Sequence, residues 1–206
     1  MTVAMKVAPE PVPEAPAGRP AQVAPYVLRT LTSKALHFSM AEIQSEMHVD
    51  RPDDVALEYT RLMMGFLLFH PRPRTIGLGG GSLAKFCFRH VTSARMRVVE
   101  INPHVIALRD EFCVPADCER VRVVEADGAH FVRFPPKRSD VLLVDGFDYD
   151  GLPRQLCSAR FYDDCFDFLM PGGMLVVNLH AAHADYSRHL QRDQGQLQSL
   201  DPRRRR

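Results

Sequence analysis

The sequence of 206 residues has almost no excess of charge of either sign, with 26 lysines and arginines against 25 aspartates and glutamates and a net charge of +1. Four of the arginines form the run 203–206, so the rest of the chain is slightly acidic. A protein that binds nucleic acid through its phosphates needs a basic surface. This composition therefore gives little support to nucleic acid as a partner, and none is expected.

The sequence also lacks paired cysteines and long apolar runs. Its five cysteines are an odd number without a C-x-x-C pair, which indicates neither a disulfide framework nor a structural metal site. No metal is expected, and a reducing cytoplasm is the favoured location. The longest apolar run, 63–69, is far shorter than the ~20 residues that cross a bilayer, so no membrane segment is expected.

Both ends of the chain have the composition of disordered segments. Residues 1–25 contain six prolines mixed with alanine and glutamate, and 191–206 is polar and ends in arginines. Such segments bury too little apolar area to offset their conformational entropy. Between them, partial period-two alternation at 35–38 and 41–49 predicts a short hairpin in a region 26–52, and 53–190 forms the main domain.

Within the main domain a helical stripe at 52–69 is followed by an alternation of strands and helices. Strands so apolar, separated by segments of helix length, are typical of a parallel sheet covered on both faces. The sequence therefore predicts an α/β, doubly wound, Rossmann-like domain. The expected strands are 75–78, 96–101, 121–125, 140–144 and 174–179; the helices are 82–90, 103–112, one from 128 and 158–169; and 171–173 is a turn.

In such a sheet the ligand binds beyond the carboxyl ends of the strands, where glycines and acids occur in this sequence. The first strand runs into G-L-G-G-G-S at 77–82, where Gly77, Gly79 and Gly81 allow a tight turn and close approach of a ligand. Glu100 ends the second strand, where a carboxylate can accept both hydroxyls of a ribose. Its alternative role is to cap the next helix, which Asn102 is already placed to do.

The third and fourth strands also end in acidic residues. Asp127 can accept the exocyclic amine of adenine, and Gly128 leaves room for the ring. Asp145 and Asp148 lie three residues apart in the loop after the fourth strand. Acids in loops are often only solvated, but these two lie at the mouth of the same crevice, which favours a binding or catalytic role.

These residues, in this order, resemble the spermidine synthase (polyamine aminopropyltransferase) family, a branch of the class I S-adenosylmethionine-dependent methyltransferase fold. The resemblance covers roughly residues 36–179. It is carried by 76–82 against the family's glycine loop, 97–103 against its V-E-I-D-P strand end, 121–129 against its strand ending in D-G-A, and 140–148 against its D-V-I-x-D-x-x-D loop.

The resemblance implies an adenosyl sulfonium co-substrate, decarboxylated S-adenosylmethionine or S-adenosylmethionine, and no permanently bound cofactor. It implies that the three glycines flank the adenosyl and sulfur portion, that Glu100 binds the ribose and that Asp127 binds the adenine. Asp145 and Asp148 match the acid pair that holds a small amine substrate and accepts its proton. Gln44 matches a family glutamine on the N-terminal hairpin. A homodimer is left open.

Several positions depart from the family pattern. Gly80 stands where the family has an aspartate, Glu58-Tyr59-Thr60 where it has Tyr-His-Glu, and Asn178 where it has a glutamine. The change at 58–60 is expected to remove a substrate contact. No apolar run after 179 supplies the last two strands of the family's sheet, which are expected to be missing. A methyltransferase and a non-catalytic adenosyl-binding module therefore remain as alternatives to aminopropyl transfer.

Overall fold

The computed structural model describes residues 22–40, 43–71, 73, 75–78, 81–146 and 153–179. Most of the expected leader, all of the expected tail and the region where the last strands were expected to be missing lie outside these ranges. The strands are β1 (Tyr26–Arg29), β2 (Ser33–His37), β3 (Ser45–His48), β4 (Thr75–Leu78), β5 (Arg95–Glu100), β6 (Val121–Glu125), β7 (Ser139–Val144) and β8 (Leu169–Val177). The helices are α1 (Glu58–Met63), α2 (Gly81–His90), α3 (Pro103–Ala107), α4 (Gly128–Arg133) and α5 (Ala159–Phe168), with 3-10 turns at Met64–Leu68 and Arg154–Cys157.

The larger sheet has the strand order β6-β5-β4-β7-β8, and every pairing in it is parallel. All five strands expected from the sequence are present, and the doubly wound α/β architecture is confirmed. From β4 the chain adds β5 and then β6 on one side of the strand, and later adds β7 and β8 on the other side. The strand order therefore reverses at β4. Such a switch point opens a crevice at the carboxyl ends of the strands.

Apolar side chains alternate between the two faces of this sheet. Val141 and Leu143 of β7 pack with α1 and α2, whereas Leu142 and Val144 pack with α4 and α5. Successive residues of a strand point to opposite faces, so a strand covered on both sides must be apolar throughout. This constraint explains why the strands were recognisable as short continuous apolar runs.

The smaller sheet is antiparallel, with the order β1-β2-β3. The predicted hairpin is confirmed as β2 and β3, and the structure adds β1, which the sequence pattern did not indicate. Leu36 and Met47 of this sheet pack on Phe112, beyond α3. Lys34 Nζ donates to Glu111 O at 3.0 Å, which ties the sheet to the same segment.

The helix expected at 52–69 is shorter than predicted. Regular α-helix begins only at Glu58, because the carbonyls of Val55 and Ala56 accept from the Arg61 guanidinium instead of from a helical N–H. The helix expected at 103–112 is regular to Ala107 and continues as turns. These turns end at Cys113, which has a left-handed backbone conformation with a φ of 55°. The next residue, Val114, donates its N–H to Arg109 O at 2.8 Å, and the two features together form a common helix-ending motif.

The expected turn at 171–173 is a bulge inside β8, which begins at Leu169 rather than at residue 174. Ser139 pairs with Leu169 and Val141 pairs with Met174, so four residues of β8 face one residue of β7. Gly172 has a φ of +79°. A Cβ at Gly173 would lie 2.9 Å from the carbonyl oxygens of both Asp140 and Met170, so only glycine fits there.

Within the residues that the structure describes, no helix has the length and hydropathy needed to cross a bilayer. The same described ranges contain no group of three or more metal-binding side chains.

Gly173→Ala should lower the free energy of unfolding by about 1–3 kcal/mol, because the added methyl group meets backbone that cannot move aside. The matched control is Gly65→Ala, where a Cβ has nothing within 4 Å and the backbone is helical, so stability should be unchanged or rise by up to about 1 kcal/mol. Urea unfolding of both variants measures the difference. Equal losses in the two would contradict the crowding at Gly173.

Candidate active site

Two polar side chains lie next to each other where β7 and β8 end. Asp145 follows Val144 and Asn178 follows Val177, and these two valines are partners in the parallel register. Asn178 N donates to Val144 O at 2.9 Å, which extends the pairing one residue past the strands. Because Val144 and Val177 face α4 and α5, the next residue of each strand points to the opposite face, toward α1.

On that face the carboxylate of Asp145 accepts hydrogen bonds at both oxygens. Tyr59 Oη, from α1, donates to Oδ2 at 3.3 Å, and Asn178 Nδ2 donates to Oδ1 at 2.9 Å. Tyr59, which the sequence pattern did not identify as a site residue, therefore contacts the acid directly. Its place was not evident from the family pattern, in which the tyrosine of the Tyr-His-Glu triplet comes one position earlier.

Burial dominates the electrostatics of this group. It raises the pKa of Asp145 above the usual carboxylic range, while the hydrogen bonds from Asn178 and Tyr59 act in the opposite direction. Burial and the neighbouring carboxylate also raise the pKa of Tyr59, so its phenol stays protonated and can donate throughout the working pH range. The site thus combines a weak, buried acid with two fixed donors.

The Gln44 main chain lies beside the same phenol. Gln44 O is 3.5 Å from Tyr59 Oη, and Gln44 N donates to Leu36 O at 2.9 Å. The N-terminal sheet is also joined to the start of α2, where the Ser45 and Ser82 hydroxyls are 3.0 Å apart. Gln44, directly before β3, therefore lies on one side of the crevice next to Asp145.

Glu100 lies at the end of β5, as the sequence predicted. Burial raises the pKa of its carboxyl, partly offset by backbone N–H donors, of which Asn102 N is 2.8 Å from Oε1. Capping of α3 is carried out by Asn102, whose Oδ1 accepts from His104 N at 3.0 Å. Glu100 is therefore not needed as a helix cap.

Asp127 has a structural task that the sequence analysis missed. Its Oδ1 accepts from Ala129 N at 2.7 Å and from His130 N at 3.3 Å, which makes it the N-cap of α4. The carboxylate is thereby fixed at the end of β6. Oδ2 accepts no hydrogen bond from the residues that the structure describes.

Leu156, from the 3-10 turn before α5, covers the glycines that follow β6 and β7. A Cβ at Gly146 would lie 2.5 Å from Leu156 Cδ1, and one at Gly128 would lie 3.8 Å from Cδ2. This apolar contact beside Asp127 had no signal in the sequence, because it depends on how residues 153–157 fold back over the sheet.

The glycine turn is only partly described. Gly77 lies in β4, in register with Arg97 and Leu142, and Gly81 begins α2. A Cβ at Gly81 would be 2.7 Å from Val114 Cγ2, so that position is tightly packed. Gly79 lies outside the described residues, and so does Asp148.

Solved structures identify the class of fold. The chain superposes on a probable spermidine synthase from Corynebacterium glutamicum with a TM-score of 0.62 and 22% identity, covering 74% of this chain and 59% of that one. Human methyltransferase-like protein 13 in complex with SAH gives a TM-score of 0.59 at 19% identity, covering 68% and 73%. The chain therefore has the class I S-adenosylmethionine-dependent methyltransferase fold.

Sequence comparisons narrow this class to a family. A family model of the spermine/spermidine synthase domain matches residues 57–197. The chain is 38% identical over 164 residues to the polyamine aminopropyltransferase of Neisseria meningitidis serogroup A, and 39% identical over 163 residues to that of Chromobacterium violaceum. Each alignment covers 77% of this chain and 62% of the relative, so the chain spans about three fifths of the relatives' length. The chain belongs to the spermine/spermidine synthase family.

Asp127→Ala should lower the free energy of unfolding by about 1 kcal/mol, because α4 loses its N-cap. Asp127→Asn is the matched control, since asparagine caps as well as aspartate and should leave stability within about 0.5 kcal/mol of wild type. Denaturant unfolding of the two variants checks this. A similar loss in both would show that the charge, not the cap, is what α4 requires.

Proposed function

We propose that this protein transfers an aminopropyl group from decarboxylated S-adenosylmethionine to a small amine such as putrescine. The observation that carries the proposal is the buried carboxylate of Asp145, held by Tyr59 and Asn178 at the switch point of the sheet. The name of the curated relatives, polyamine aminopropyltransferase, supports the same reaction.

The donor fits along the carboxyl ends of the first three strands of the parallel sheet. Glu100 binds the two ribose hydroxyls, and Asp127 accepts from the adenine amine with the oxygen that does not cap α4. Gly128 and the apolar side chain of Leu156 flank the purine ring. The glycines of the first turn surround the sulfonium portion: Gly77, Gly79 and Gly81.

The chemistry requires a base, because the amine of a polyamine has a pKa near that of lysine, about 10, and is protonated at pH 7. Asp145 first accepts that proton, which frees the lone pair of the nitrogen to attack the carbon next to the sulfonium. The new N–C bond forms while the C–S bond breaks, and methylthioadenosine leaves with the bonding electrons. Asp148 holds the remaining charge of the substrate, and Gln44, beside Tyr59, contacts the bound co-substrate.

The co-substrate is consumed in each turnover, so the reaction needs no permanently bound cofactor. It needs no metal, because the sulfonium is already a good leaving group. All five cysteines are free, which is in keeping with the cytoplasm as the place of action.

Titration of the purified chain with methylthioadenosine, S-adenosylmethionine and decarboxylated S-adenosylmethionine, followed by transfer assays on putrescine, tests the proposal. We expect preference for the decarboxylated donor and release of methylthioadenosine. Methyl transfer from S-adenosylmethionine would instead make the protein a methyltransferase. Binding without turnover on any amine would make it an adenosyl-binding module.

Asp145→Asn should reduce transfer by at least about 100-fold, the lower range for loss of a general base, while methylthioadenosine binding changes little. Asp110→Asn, an exposed acid in the turns after α3, is the matched control and should retain full activity. Turnover by Asp145→Asn at the wild-type rate would refute the assigned role of Asp145.

The raised pKa of Asp145 predicts the pH dependence of the reaction. Only the ionised carboxylate accepts a proton, so kcat/KM should fall on the acidic side at a pH above the usual carboxylic value of about 4. Because the pKa is higher in the folded state, the group's contribution to stability is present at low pH and is lost as pH rises through that pKa. Asp145→Asn should therefore be at least as stable as wild type at pH 8, which thermal unfolding measures.

A further inference from the structure

Asn178 is the better-fixed of the two donors to Asp145. Its backbone N–H continues the β7–β8 ladder onto Val144 O at 2.9 Å, so its Cα is set by the sheet itself. Its side-chain bond to Oδ1 is 2.9 Å long, whereas Tyr59 Oη is 3.3 Å from Oδ2 and also lies near Gln44 O. A short side chain on a fixed backbone loses little entropy in holding this geometry.

The amide also favours one protonation state of the acid. An ionised carboxylate accepts hydrogen bonds at both oxygens, and Asp145 has a donor at each, Asn178 Nδ2 at Oδ1 and Tyr59 Oη at Oδ2. A hydrogen bond to a charged group is stronger than one between neutral groups. Without this donor, burial would act on the carboxylate with less opposition.

We propose that Asn178 is a positioning residue for the acid, holding the carboxylate of Asp145 in one orientation and in its ionised form, ready to accept a proton from the amine. The catalytic part of this role rests on the proposed aminopropyl transfer. The effect of Asn178 on Asp145 does not, because it is a property of the protein without substrate.

The groups around Asp145 leave few other causes for a change in its titration. Among the described residues, Tyr59 from α1 is the titratable side chain in contact with it, and its raised pKa keeps it neutral. β8 contributes the uncharged Asn178, and no residue of β4 is ionisable. Asp148 is outside the described residues. The titration is therefore repeated in Asp148→Asn, where the charge of that residue is removed.

The test measures the pKa of Asp145 directly, by carbon-13 NMR of the carboxyl groups, with the signal assigned through its absence in Asp145→Asn. Asn178→Ala should raise this pKa by about one pH unit, as expected for one lost hydrogen bond to a charged group. The acid limb of kcat/KM should move by the same amount, while KM for the donor changes less than about twofold. Asn178→Gln, which keeps the amide, should restore most of both values.

Two further variants keep the test decisive. Asn178→Leu removes the donor at similar volume and replaces Asn178→Ala if that variant does not fold. Val177→Ala loosens β8 on the opposite face and should leave the pKa of Asp145 unchanged. An unchanged pKa in Asn178→Ala or Asn178→Leu, or an equal rise in Val177→Ala, would overturn the proposal. If wild type transfers no aminopropyl group, the proposed function fails, and the NMR titration still decides the effect on Asp145.

Discussion

The parallel pairing of β7 with β4 on one side and β8 on the other is the constraint on which the site depends. This register puts Asp145 and Asn178 on adjacent strands one residue past the last paired valines. The alternation of the strand then turns both side chains toward α1, where Tyr59 meets them. A shift of one residue in either strand would send one of the two polar side chains into the apolar layer under α4 and α5.

The same arrangement stabilises the domain but disfavours the charged form of Asp145. Covering both faces of the sheet gives the domain its core, and the cover also takes the end of β7 out of water. A carboxylate in such a place is costly unless it accepts hydrogen bonds, and Asp145 accepts two. The result is an acid whose pKa is raised above its usual value by burial but whose charged form still has two hydrogen-bond donors.

The main features of the fold could be predicted from the sequence because they depend on local patterns. Strands buried on both faces must be apolar, and so 121–125 and 140–144 were found almost to the residue. The acids at strand ends followed from topology alone. Features set by side-chain contacts could not be found in this way: the start of α1 depends on the side chain of Arg61, and β1 depends on packing against the segment after α3. Tyr59 and Leu156 enter the site through such long-range packing, and the second role of Asp127 depends on helix geometry.

The central position of β4 has a consequence for synthesis on the ribosome. β4 ends at Leu78, but its second neighbour, β7, begins only at Ser139, and β8 follows at Leu169. The antiparallel N-terminal sheet can pair as soon as it leaves the exit tunnel, whereas the parallel sheet must wait with one side of its central strand uncovered. Tyr59 is made early and Asn178 late, so Asp145 acquires both of its hydrogen-bond donors only when the last described strand has docked.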